Sequence, residues 1–202
     1  FLLEKIKNDE VIDHIIAGIG GAIFPEVIKL IDYFVPIKNL TLLHGFQGYP
    51  TPLDENDLNR LRYLKEYIQN HKYSEKINIG FADHSDPNSN DAIILNSTSI
   101  GFGISLIEKH LTLAKSLKLE DHEAALSPDE FLQFTEMNRR CLTALGDGVK
   151  KEKQDFNLKE SELAYRKMVR RHVVAAKDLK KGQEVKETDI KLKRTSCVNP
   201  IY

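Results

Sequence analysis

An α/β fold, with β/α units repeated around a parallel sheet, is what this sequence predicts, on three observations. Short β-branched runs alternate with amphipathic stretches. Polar residues that include histidine close one apolar run after another, where a barrel of parallel strands gathers its chemistry. A chain of 202 residues, 41% of them hydrophobic, can also bury a substantial core.

Four units follow in order. Ile15-Ile16-Ala17 reads as the first strand, Gly18, Gly20 and Gly21 as its loop, and residues 25–34 as a helix whose Val27, Ile28, Leu30, Ile31 and Phe34 keep one apolar face. The second strand, residues 40–43, ends at His44; Tyr49-Pro50-Thr51-Pro52 breaks the chain before a helix carrying Leu58, Leu61, Leu64 and Ile68. The third, Ile77-Asn78-Ile79-Gly80-Phe81, runs into Ala82-Asp83-His84, and residues 91–99 have the make-up of a short helix. The fourth, Ile104-Ser105-Leu106-Ile107, closes at Glu108-Lys109-His110. Ser127-Pro128-Asp129-Glu130 then reads as a capped helix start, continued by Phe131, Phe134, Met137, Cys141 and Leu145 and stopped by Gly146.

Residues 150–170 turn strongly charged and lose apolar periodicity, which predicts a linker. A second compact pattern opens at His172-Val173-Val174-Ala175-Ala176, turns at Lys180-Lys181-Gly182-Gln183 and reaches Lys193-Arg194. Four β/α units leave two unpaired edges on a parallel sheet, so the chain is expected to be an excerpt of a longer protein. The absence of methionine at residue 1 agrees.

A net charge of -1 gives no reason to expect nucleic acid or membrane partners. No apolar run approaches the roughly 18 residues a membrane span needs, and Phe1-Leu2-Leu3-Glu4-Lys5 has no leader pattern, so a cytoplasmic protein is expected. Cys141 and Cys197 stand in no metal or redox spacing and read as reduced thiols without a chemical role.

His84 and His110, at the ends of neighbouring strands, could share one divalent ion, with carboxylates and water completing its shell. Asp83 and Glu108 beside them could orient the imidazoles; strand-end solvation is the plainer alternative. Gln47 and Tyr49 offer an amide and an aromatic face suited to a sugar, and Asp121, next to His122, could accept hydrogen bonds from vicinal hydroxyls. Each could equally be an ordinary loop residue. The glycines after the first strand match no Walker or dinucleotide spacing.

Taken together, Leu42-Leu43-His44 with Tyr49-Pro50-Thr51-Pro52, Asp83-His84, Ile107-Glu108-Lys109-His110-Leu111-Thr112, Asp121-His122 and Ser127-Pro128-Asp129-Glu130-Phe131 resemble the sialic acid (N-acetylneuraminate) synthase family. Leu145-Gly146-Asp147-Gly148 and the segment from Val173 to Gly182 are similar to that family's barrel end and the start of its antifreeze-like SAF domain. The resemblance implies an α/β fold made of the C-terminal half of a TIM (β/α)8 barrel, strands five to eight, over residues 1–149, a linker over 150–170, and a truncated SAF domain over 171–202. It implies condensation of phosphoenolpyruvate with an N-acylated amino sugar such as N-acetylmannosamine, with manganese or magnesium. On the same ground His84 and His110 match the metal ligands, and Gln47, Tyr49 and Asp121 the substrate-binding residues. Arg194 resembles an SAF arginine that reaches the partner subunit's sugar site in a domain-swapped homodimer, and the catalytic glutamate of the family falls in the other half of the barrel.

Departures fall on the phosphate side. Ala82 stands where the family usually has serine, Gln47 where it often has asparagine, and Ala17-Gly18-Ile19-Gly20 lacks the usual Ser-Thr. A lost charge-assisted hydrogen bond costs roughly 1.5–3 kcal/mol. Asp86-Pro87-Asn88-Ser89-Asn90 reads as an insert, and Thr195 replaces a familial proline. Two other functions remain open: a degenerate barrel that binds a sugar or partner without turnover, and a metal-dependent hydrolase on the same fold.

Overall fold

The computed structural model describes residues 2–146 and 158–195, in two compact units, Phe1–Gly146 and Asp147–Tyr202. In the first unit α1 (Leu2–Asn8) precedes four β/α units: β1 (His14–Gly18), α2 (Phe24–Phe34), β2 (Asn39–His44), α3 (Asn59–Gln69), β3 (Ile77–Asp83), α4 (Asp91–Gly101), β4 (Leu106–Lys109) and α5 (Pro128–Leu145). The four strands pair in sequence order, every pair parallel, which gives half of a barrel. Within the described residues β1 and β4 therefore each keep one unpaired edge.

Leu40, Leu42, Ile77 and Ile79 alternate along β2 and β3 onto one sheet face, where they meet Val27 and Ile31 of α2 and Leu64 and Ile68 of α3. Phe81 continues this face against Leu61 and Leu95. Burying each such side chain is worth about 1.5–3 kcal/mol. The helix faces follow the sequence: Pro25 lies in the first turn of α2, whose Glu26 reaches back to the Ile23 amide, and Glu130 does the same for Ser127 at the start of α5.

The fourth strand differs from its expected span. Gly103 adopts a φ of +77° and the Ser105 amide donates to the Ile79 carbonyl, so ladder pairing with β3 begins at Leu106 and extends to Lys109. The helix α1 carries no buried residue, which is why no apolar face announced it.

Close backbone approach at the strand ends leaves no room for a side chain at Gly45. A Cβ on Gly45 would lie 2.5 Å from the Ala82 carbonyl oxygen and 2.8 Å from the Ala82 Cβ. Gly45→Ala is therefore expected to lower stability by about 1–3 kcal/mol, read from the urea midpoint. Gly18→Ala, where an added Cβ meets nothing within 4 Å among the described residues, is the control, and equal shifts for the two would refute the packing account.

In the second unit the charged span contains a helix, α6 (Glu160–Val169), within the expected linker. It has no buried residue and is started by Glu162 accepting from the Lys159 amide. Charge had masked its helical propensity; residues 150–157 of that linker lie outside the described residues. Beyond it β5 (His172–Ala175) and β6 (Ile190–Lys193) pair antiparallel. The buried Asp189 carboxylate holds the intervening turn through Lys177 Nζ at 2.5 Å and the Lys186 amide at 3.1 Å, and Lys177 keeps that carboxyl below the usual range. Cys197 and residues 196–202 of the expected SAF segment lie outside the described residues. Among the described residues no helix is long and apolar enough to cross a membrane.

Candidate functional site

The period of two along β3 does not stop at Phe81. Ala82 turns to the inner face of the half-barrel, Asp83 returns to the helix layer, and His84 faces inward again. The residues of β4 run in register with them, Ala82 opposite Glu108 and Asp83 opposite Lys109, which places His110 beside His84. The ring centroids of the two histidines are 5.2 Å apart. Tyr49 completes the cluster, its ring 4.8 Å from His84 and 5.4 Å from His110, edge-on to the latter.

The loop after β2 holds His84 in place. Its Nδ1 lies 2.7 Å from the Phe46 carbonyl and so carries the proton, leaving Nε2 as the nitrogen able to ligate. Thr51 is buried, its hydroxyl 2.8 Å from the Gly48 carbonyl and 3.1 Å from that of Phe46, and its amide donates to the His84 carbonyl at 2.8 Å. The motif Tyr49-Pro50-Thr51-Pro52, with a cis Tyr49-Pro50 bond, is thus a clamp on the histidine. Residue order gives no sign of this role for Thr51, because all three partners are backbone carbonyls.

His110 Nδ1 faces the Asp121 carboxylate at 3.8 Å, longer than a hydrogen bond but close enough for charge to be felt. Asp121 adopts a φ of +58°, a conformation that aspartate tolerates better than most residues. Burial raises the Tyr49 hydroxyl above its usual pKa, and the negative charges of Asp121 and Glu108 add to this, so the phenol is a donor at neutral pH.

One expected role is corrected. Asp83 does not orient an imidazole: it points away from both rings and accepts from Asn96 Nδ2 at 2.7 Å and the Ser85 amide at 2.9 Å, with Lys109 Nζ at 3.3 Å. Glu108 is exposed on the inner face. Gln47 is exposed on the same loop as Tyr49, with its Cγ over Gly20. Arg194 belongs to the second unit, exposed directly after β6.

Two imidazoles bound to one divalent ion at about 2.1 Å, with donor angles of about 90–110°, hold their centroids roughly 4.5–5.3 Å apart. The observed separation of 5.2 Å fits that arrangement. Among the described residues no group of three or more His, Cys, Asp or Glu makes a fuller ligand set. The described residues offer two imidazoles, and an ion there would need its other ligands from elsewhere.

A cleft of about 820 Å³ opens to one side, lined by Gly20, Phe24, His44, Phe46, Arg60 and Tyr63 among others, and none of the three clustered rings borders it. His44 is buried there with Nε2 2.9 Å from the Asn56 carbonyl, and burial holds its pKa below the ordinary histidine value. The convergence of the three rings, not the size of this cleft, marks the candidate site.

Residues 2–150 match the model of the NeuB family. The chain is 33% identical over 157 residues to the N,N'-diacetyllegionaminic acid synthase of Campylobacter jejuni, covering 78% of this chain and 42% of that protein. It is 31% identical over 183 residues to a pseudaminic acid synthase of the same species, covering 90% and 48%. A solved structure from Chromobacterium violaceum, of a protein assigned to spore coat polysaccharide biosynthesis, superposes with a TM-score of 0.74 at 25% identity, over 95% of this chain and 52% of that one. The chain spans about half the length of the curated relatives it matches. With its parallel half-barrel and a family match from the first helix to the end of α5, this chain belongs to the NeuB family, that of the sialic acid synthases.

Proposed function

We propose that the protein containing this chain condenses phosphoenolpyruvate with an N-acylated amino sugar to give a nonulosonic acid and phosphate. The observation that carries this reading is the meeting of His84, His110 and Tyr49 at adjoining strand ends. His84, through Nε2, and His110 would hold a manganese or magnesium ion, which when bound supplies Lewis acidity toward the aldehyde of the open-chain sugar. In the reaction C3 of phosphoenolpyruvate forms a bond to the aldehyde carbon, water adds at C2, and phosphate leaves by C–O cleavage. Tyr49 offers an aromatic face to the sugar and a protonated hydroxyl to one of its oxygens. Asp121 sets the charge beside His110 and has a second oxygen for sugar hydroxyls. Phosphoenolpyruvate and the missing catalytic groups would be served by the other half of the barrel. A SAF domain beginning near residue 171, an Arg194 that reaches a partner's site in a homodimer, and a cytoplasmic setting belong to the same reading.

A second reading rests on Ala82. It faces inward one alternation below His84, against Gly45, and neither residue has a side-chain donor for phosphate. A barrel that binds sugar without turnover is consistent with that gap. The full-length protein with manganese, given phosphoenolpyruvate and a panel of N-acylhexosamines, is expected to release phosphate only when both substrates are present. Sugar binding without such release would favour the second reading, and neither binding nor release would refute both.

A further inference from the structure

We propose that the buried Asp83–Lys109 pair is a positioning device that sets the spacing and aim of His84 and His110 from behind the sheet. This inference rests on the reading that the two imidazoles hold a divalent ion.

The pair spans β3 and β4 at a register position, Asp83 opposite Lys109, and both side chains are completely withdrawn from solvent. Lys109 Nζ lies 3.3 Å from Asp83 Oδ1 and also reaches the Ser85 carbonyl at 2.9 Å and the Ser85 hydroxyl at 3.3 Å. The residues on either side of His84 are therefore both fastened to the residue that precedes His110. Asp83 Oδ1 draws in the Ser85 amide at 2.9 Å, so His84 is the apex of a short bow whose two ends are tied to one ammonium group. From α4, Asn96 Nδ2 fixes the other carboxylate oxygen at 2.7 Å.

Stability does not account for this network. Withdrawing two charges from water costs as much as or more than their attraction returns, and apolar side chains of similar volume commonly pack as well or better. Among the described residues the remaining Asn96 oxygen is buried with no hydrogen-bond partner, a further cost that apolar packing would avoid. Directional contacts do what apolar contacts cannot: they specify where the backbone at 83–85 lies relative to residue 109. Since each histidine adjoins one end of the pair and faces the opposite side, fixing that relation fixes the two rings.

The test uses the full-length protein, with Mn2+ binding followed by electron paramagnetic resonance and Co2+ as a spectroscopic substitute. Wild type is expected to bind Mn2+ in a manner that His84→Ala removes; absence of such binding would overturn the ligand reading itself. Given that binding, Lys109→Met is expected to weaken Mn2+ affinity about 10–100-fold and to alter the Co2+ absorption bands, at a temperature where circular dichroism shows the protein folded. Because Lys109→Met strands a buried carboxylate, the neutral double variant Asp83→Asn/Lys109→Met is measured beside it and is expected to show the same loss. Wild-type affinity and Co2+ spectrum in either folded variant would overturn the proposal. Failure of both to fold would overturn it too, since the pair would then serve the fold rather than the rings.

Discussion

Replacing His84 by alanine is expected to lower manganese affinity by more than about 100-fold and sugar-dependent phosphate release with it, since loss of a direct ligand exceeds the cost of losing an outer-shell partner. The imidazole is buried, with one nitrogen committed to the Phe46 carbonyl, so its geometry is set before any ion arrives. Alanine removes the ligand and also leaves that carbonyl without its donor. Titration of Mn2+ into wild type and variant measures the first effect, and phosphate release at saturating manganese measures the second. A matching change at His71, which lies just beyond α3 and away from the ring cluster, is expected to leave affinity unchanged. Equal affinity in wild type and His84→Ala would remove His84 from the ligand set.

Phe81→Ala is expected to produce the largest loss of stability, about 3–5 kcal/mol, because a fully buried ring is replaced by a cavity between α3 and α4. Leu61 and Leu95 enclose the ring from the two helices and cannot close the gap without moving them. Urea unfolding followed by far-ultraviolet circular dichroism checks the value. A shift within about 0.5 kcal/mol, the size of an ordinary surface change, would mean that the cluster collapses around the missing ring.

Much of the half-barrel was legible from residue order. Short β-branched runs marked the four strands, helical spacing marked α2, α3 and α5, composition alone marked α4, and the Ser127-Glu130 pairing marked where α5 begins. His84 and His110 were recognisable as neighbours because consecutive parallel strands end side by side. The role of Asp83 was not, although the same alternation that sends His84 inward sends its neighbour outward; adjacency in the chain suggested a contact that the pleat forbids. Thr51 and Lys109 were missed for another reason. Thr51 meets backbone carbonyls, which no residue pattern displays, and Lys109 meets Asp83 and Ser85 on a neighbouring strand end, a pairing that only the register between β3 and β4 sets. The strongly charged span before β5 concealed α6, since a helix that buries nothing leaves no apolar stripe to read.

The pleat at the end of β3 also limits how such a site can change over descent. Exchange of residue 82 or 108 alters what lines the mouth while every other side chain keeps its face. Gain or loss of one residue between 77 and 84 would instead carry the ring into the apolar layer and the carboxylate out of it. A change of length at a surface stretch such as the turn at 86–90, which follows the histidine, would leave its phase untouched.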